Sequence, residues 1–170
     1  MEWKMRRSRQ RLSEQEALNL LDETTSGVLS LVDPEGMPYG VPLSFARDGN
    51  HLYFHCAREG RKLQCIQSHP YGSVCVISAD EIIPEKFTTS FISVMASGPL
   101  YLVEEEVEKR KALYLLTDRY SKTVPFARHE AEVEGSINRT MVLRLDIQSL
   151  SGKESKERMQ ERTVSQKSSQ

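Results

Sequence analysis

The sequence predicts a mainly β, α+β fold: an antiparallel barrel with peripheral helices. Strand-like runs follow one another through short turns, as hairpins do, instead of alternating with helices as βαβ units would. Prolines and glycines punctuate these runs where turns and edge strands need them. Helical periodicity is confined to a few short segments. A chain of 170 residues is enough for one domain of ordinary size.

The elements follow in order. Lys4, Arg6, Arg7, Arg9 and Arg11 make residues 1–12 a basic extension, which reads as a solvated arm, with nucleic-acid contact as the lesser alternative. Ser13-Glu14-Gln15-Glu16 has capping-box spacing, Leu12 and Ala17 are placed as a hydrophobic staple, and Leu18 and Leu21 carry a short amphipathic helix to Glu23. Gly27–Val32 is a compact strand run ending in Asp33-Pro34-Glu35-Gly36, a sequence suited to a type I turn. Tyr39–Phe45 is the next strand, and Pro38 and Pro42 put part of it at an edge or leave it unpaired. Asp48-Gly49-Asn50 then turns the chain into His51–Cys56, giving an antiparallel meander.

Arg61–Ser68 reads as a short helix with Leu63 and Ile66 inward and Pro70 beyond its end. Ser73–Ser78 is a strand, 80–86 a polar link, and 87–103 a long β stretch with a bulge or corner near Ser97-Gly98-Pro99. Glu104-Glu105-Glu106 opens another helix, with acids at the positive dipole end and Lys109, Arg110 and Lys111 behind them. Its apolar stripe is Val107, Leu113, Leu116 and Tyr120. Residues 121–136 read as loop, and Met141–Ile147 alternates as a strand with one wet face. From 154 to 170 the composition is polar and charged, which predicts a disordered tail after a folded domain spanning 13–153.

Charge excludes little: 23 basic and 24 acidic side chains leave a net charge of −1, without the basic excess of a nucleic-acid binder. Cys56, Cys65 and Cys75 lack framework spacing and read as free thiols in a reducing compartment, hence a cytoplasmic protein. No apolar run suits a secretory leader or a membrane helix. His51, His55, Cys56, Cys65, His69 and Cys75 lie close together, but without a Cys-x-x-Cys pair they do not make a metal site. Glycine-rich dinucleotide loops, a P-loop and a Gly-x-Ser-x-Gly elbow are all missing.

The segment with most chemical content is His55-Cys56-Ala57-Arg58-Glu59-Gly60-Arg61-Lys62-Leu63. A strand ends, small residues follow, and two cations stand at a helix start. Open N–H groups, the positive dipole end and Arg61 with Lys62 suit a phosphate. The same residues also fit a solvated turn with two surface cations.

With that segment, Gly27–Val32, Pro38–Phe45, Leu52–Lys62, Ile83–Thr89 with Ser93-Val94, and Leu150–Lys153 form an ordered set. It resembles the pyridoxamine 5′-phosphate oxidase superfamily, in particular its nitroimidazole-reductase-like branch. The resemblance implies an FMN-binding split β-barrel, a homodimer with flavin at the subunit interface. It implies that Val41, Pro42, Leu43, Ser44 and Phe45 lie along the isoalloxazine ring. His55, Cys56 and Ala57 would stand beside the ribityl chain and phosphate, Gly60, Arg61 and Lys62 would hold the phosphate, and Ser93 would be a polar neighbour of the flavin. The implied activity is reduction of a small, planar, electron-poor molecule, with NAD(P)H or another electron donor and His55 as proton donor or substrate orienter. The Arg- and His-containing C-terminal signature that grips pyridoxamine phosphate is not found, so that substrate is not implied. A non-catalytic module sensing flavin or haem is the alternative, with His51, His55 and His69 as the haem-relevant residues.

Overall fold

Every hydrogen-bonded strand pair is antiparallel, and one long strand joins two sheets. The computed structural model describes residues 5–160 and 162. In chain order its elements are α1 (Glu14–Glu23), β1 (Gly27–Val32), β2 (Pro38–Leu43), β3 (Ala46–Asp48), β4 (His51–Ala57), α2 (Arg61–Ser68), β5 (Tyr71–Ile83), β6 (Thr88–Val103), α3 (Glu106–Tyr120), α4 (Phe126–Ser136), β7 (Thr140–Asp146) and β8 (Ser149–Glu154). The strand order is β2-β1-β5-β6-β7-β4-β3, with β8 also paired to β6.

β6 lies between β5 and β8 over residues 92–97, and its last residues, Leu100–Val103, pair with β7 instead. The corner expected near Ser97-Gly98-Pro99 is therefore where β6 passes from one sheet to the other. Gly98 permits the crossing, because a Cβ there would collide with the Asp146 carbonyl. Gln148 N–H then donates to Ser97 O at 2.9 Å, fastening the β7–β8 turn onto the strand.

The inner faces of the two sheets enclose the main core. Leu29, Leu31, Val74, Val76, Val94 and Ala96 meet Phe45, Leu52, Phe54, Leu143 and Leu145, while Ala17 and Leu21 of α1 and Leu63 and Ile66 of α2 join the same cluster. Each fully buried Leu or Phe contributes about 1.5–3 kcal/mol. A second cluster, Tyr53, Val103 and Val142 against Ala112, Leu113 and Val133, packs α3 and α4 on the outer face of the β4–β7 sheet. This is the antiparallel split-barrel architecture expected, with β2 and its prolines at an edge.

Several local expectations are corrected. The polar link over 80–86 is instead the end of a ribbon, with β5 and β6 paired as far as Ile83 and Thr88 and a bulge between Ile77 and Ala79. A wet two-stranded ribbon needs no apolar alternation, so composition did not reveal it. Residues 121–136 contain α4, whose buried face is His129, Val133 and Ser136. Two polar residues on that face blur its periodicity. β8 carries one large apolar residue, Leu150, which hides its alternation. The tail opens with helical residues 156–160. Its remainder beyond Arg162, like Lys4 of the basic extension, lies outside the described residues.

Candidate functional site

The start of α2 has an open N-terminus. Its N-cap, Gly60, sits at φ 127°, a conformation that favours glycine, and no side chain caps the first turn. The helix dipole and free N–H groups make such an end attractive to an anion. Leu63, Cys65 and Ile66 bury the other side of the helix and so fix its direction.

The two cations at this helix start diverge. Arg61 places Nη2 2.7 Å from Asp33 Oδ2 and lays its guanidinium over the Tyr39 ring, 4.6 Å from the centroid. The Asp33 carboxylate is only 8% exposed and also accepts from the Glu35 and Met37 N–H groups at 3.2 and 2.8 Å. The Arg61 hydrogen bond, helped by the Met37 N–H, holds that carboxyl below the ordinary aspartate range. Lys62 is half-buried. Burial pushes the Cys56 thiol up, and the Lys62 charge pulls against that shift. Among the described residues no carboxylate pairs with Lys62.

β4 splits the next set of expected residues between its two faces. Phe54 and Cys56 turn toward the main core, whereas Tyr53 and His55 lie on the face that carries α3 and α4. His55 is exposed there beside Val142, and Ala57 is exposed at the strand end. Strand alternation thus sends His55 away from the Cys56 and Lys62 side.

On β2, Val41 and Leu43 pack partly buried against the main core, while Pro42 is exposed on the outer face of its sheet. Ser44 is exposed beyond the strand end. Phe45 is completely buried, and the Tyr120 hydroxyl accepts from its N–H at 3.0 Å and donates to its carbonyl at 2.7 Å. Ser93 faces outward on β6, between Ile77 of β5 and Lys153 of β8. β1 and β5 separate β2 from β6, about 14 Å at roughly 4.8 Å per strand.

The outer face of that sheet stays open. Val28, Tyr71, Ile77 and Met95 are 43%, 51%, 62% and 49% exposed, and small residues such as Ser30, Ser73 and Ser97 lie between them. A cleft of about 280 Å³ lies elsewhere, lined by Arg11, Asn50, Ile147, Gln148 and Leu150 among others. It shares no lining residue with the α2 start.

Several of the remaining chemical groups are structurally committed. His51 Nδ1 lies 2.7 Å from Asp146 Oδ1, and Arg144 joins Asp146 to Glu108, both at 2.8 Å. Tyr53 donates to Glu108 at 3.0 Å, and burial followed by that carboxylate pushes its phenol up to about 12. This network ties α3 to the sheet. Cys65 is buried in the core, and His69 is exposed at the end of α2. Asp33 and Tyr39, the partners of Arg61, escaped the sequence reading: one looked like a turn residue and the other like an ordinary strand aromatic, and no local pattern links either to residue 61.

Comparison with known proteins adds to this geometry. Residues 13–154 match the family model described as pyridoxamine 5′-phosphate oxidase. A conserved hypothetical protein of Mycobacterium tuberculosis has a similar structure at TM-score 0.76 and 16% identity, with 88% of this chain and 90% of that one covered. A candidate 5-nitroimidazole antibiotic resistance protein of Bacteroides thetaiotaomicron gives TM-score 0.70 at 21% identity, covering 84% and 85%. An FAD- and haem-binding protein of Mycobacterium smegmatis gives 0.70 at 23%, covering 86% and 74%. At these identities the likeness concerns the fold. No curated protein sequence matches the chain. Among the described residues, no helix is long and apolar enough to cross a membrane.

Proposed function

Because the chain belongs to the pyridoxamine 5′-phosphate oxidase family, we propose that it is an FMN-binding flavoprotein, a homodimer reducing a small, planar, electron-poor substrate as a nitroimidazole reductase does. The observation that carries this reading is the uncapped start of α2, with Gly60 at positive φ and beside it Lys62, which pairs with no carboxylate among the described residues. Its donor set fits a phosphate: backbone N–H groups aligned with a helix dipole, and an ammonium. Lys62 and these N–H groups would hold the phosphate, and the β2 backbone around Val41, Pro42 and Leu43 would border the ring. The flavin, when bound, supplies the electron transfer, and the protein supplies binding, orientation and a dry pocket.

Two features support the dimer. The exposed apolar face of the β1–β5–β6 sheet is the kind of surface that a second copy covers. Ser93 and β2 are also separated by two intervening strands. For both to border flavin, each subunit would lend Ser93 to its partner's site. The nitroimidazole resistance protein and the FAD- and haem-binding protein of similar fold make nitroaromatics the first substrates to try, with NAD(P)H as donor.

Freshly purified protein, or protein reconstituted with FMN, should show a flavin absorption spectrum at one chromophore per chain. A colourless protein indifferent to added FMN would overturn the reading. Lys62→Ala should weaken FMN binding by about ten- to a hundredfold, the loss of one charged hydrogen bond, measured by flavin fluorescence quenching. Turnover of NAD(P)H with a nitroimidazole distinguishes an enzyme from a module that only binds.

A further inference from the structure

We propose that Arg61 is a strut that positions the anion cradle, and that Lys62 is the only side chain of the pair that meets the phosphate. The proposal rests on the flavin reading for the identity of the anion, but its structural half stands apart from it. By charge alone the two cations are interchangeable. Helix geometry separates them, since consecutive residues project about 100° apart. Here Arg61 turns to the β1–β2 turn, with Nη2 on Asp33 and its guanidinium over Tyr39.

Asp33 decides the matter. Its carboxylate is 8% exposed and anchored by two backbone donors, Glu35 N–H and Met37 N–H, so it cannot follow a departing guanidinium. Moving Arg61 onto a ligand would leave the Asp33 carboxylate with its two backbone donors but without its cation. The Tyr39 face adds a second hold that suits a planar guanidinium. Arg61 thus ties the first turn of α2 to the β1–β2 turn, and that tie sets where Gly60 and the open N–H groups stand. It is a positioning residue.

The experiment compares FMN with riboflavin, which lacks the phosphate, in binding to the full-length protein and its variants. Lys62→Met should weaken FMN about tenfold or more and leave riboflavin unchanged. Arg61→Met should lower the melting temperature without ligand and weaken FMN, whose phosphate meets the displaced cradle, more than riboflavin, and Arg61→Lys should not restore the FMN affinity. Arg61→Lys keeps the charge but loses the fork and the stacking, and it should not restore the melting temperature. A selective loss of FMN in Arg61→Met, rescued by Arg61→Lys, would make Arg61 a phosphate ligand and overturn the proposal. Ligand-free melting of Asp33→Asn, Arg61→Met and the double variant supplies the other readout. The proposal expects the double variant to melt no lower than the worse single one, and additive losses would overturn it. Should neither flavin bind, the flavin reading fails while this cycle still decides whether Arg61 is the strut.

Discussion

Glu154 ends β8 with its carboxylate shut away from water, at 3% exposure. Arg162 Nη2 lies 2.7 Å from Oε1, yet burial dominates and pushes this carboxyl up, with the Arg162 charge pulling against it. The folded state therefore binds this proton more tightly than the unfolded chain does. Stability gained from it appears as pH falls through the raised folded value and is complete near the unfolded value of about 4.3. Glu154→Gln should melt above the wild type at neutral pH, and the difference should shrink as pH falls. Thermal melts across that range test this, and a gap independent of pH would acquit the carboxylate. Asp33 behaves oppositely: held low by Arg61, it stabilises above about 3.9, and that contribution is lost as pH falls through its depressed folded value. At this scale the sequence disclosed what is local. The helix start with its glycine and two cations, Gly60, Arg61 and Lys62, could be expected because these residues are neighbours in the chain. The Arg61–Asp33 pair spans 28 positions, and the division of labour between Arg61 and Lys62 exists only in three dimensions.

Among the elements, the end of α3 controls the corner between β2 and β3. The Tyr120 hydroxyl serves both peptide groups of Phe45 and lies 2.7 Å from the Thr25 carbonyl, while Arg119 donates to the Leu21 and Thr24 carbonyls at the end of α1. Tyr120→Phe leaves the Phe45 N–H without its acceptor and should cost about 1–3 kcal/mol. Urea denaturation would measure it, and a loss much below that range would mean that water replaces the hydroxyl. Legibility followed the strength of local signals here too. The capping box of α1 is present as expected, with Ser13 Oγ accepting from Glu16 N–H at 3.2 Å and Glu16 Oε2 accepting from Ser13 N–H at 2.7 Å. α4 stayed hidden because its buried face relies on His129 and Ser136. The His129 ring nitrogens lie near Asp118 and the Ser121 carbonyl, contacts that composition cannot anticipate.

For the whole molecule, the order of hairpins was enough to exclude a parallel sheet, and the family resemblance supplied the split of the barrel. What could not be read was that β6 belongs to both sheets, since a partner change leaves no mark except a glycine. The uncovered face on this sheet yields a prediction at the same scale. Met95→Asp puts a charge at the centre of that face, and under the dimer reading it should shift the protein to monomer in sedimentation or size-exclusion experiments and weaken FMN binding in parallel. A monomeric wild type, or a variant that remains dimeric, would count against this face as the subunit contact.

The place of β8 also bears on how the chain is made. Leu12 N–H donates to the Gly152 carbonyl at 3.0 Å, and Arg11 bridges to Lys153, so the first-made part of the domain waits for the last. During synthesis, at about 5–20 residues per second, β6 exists for seconds with one edge bare before the residues that cover it are translated. Such an edge is a template for foreign strands. Nascent chains stalled between β7 and β8 should therefore need chaperone protection that the finished protein does not.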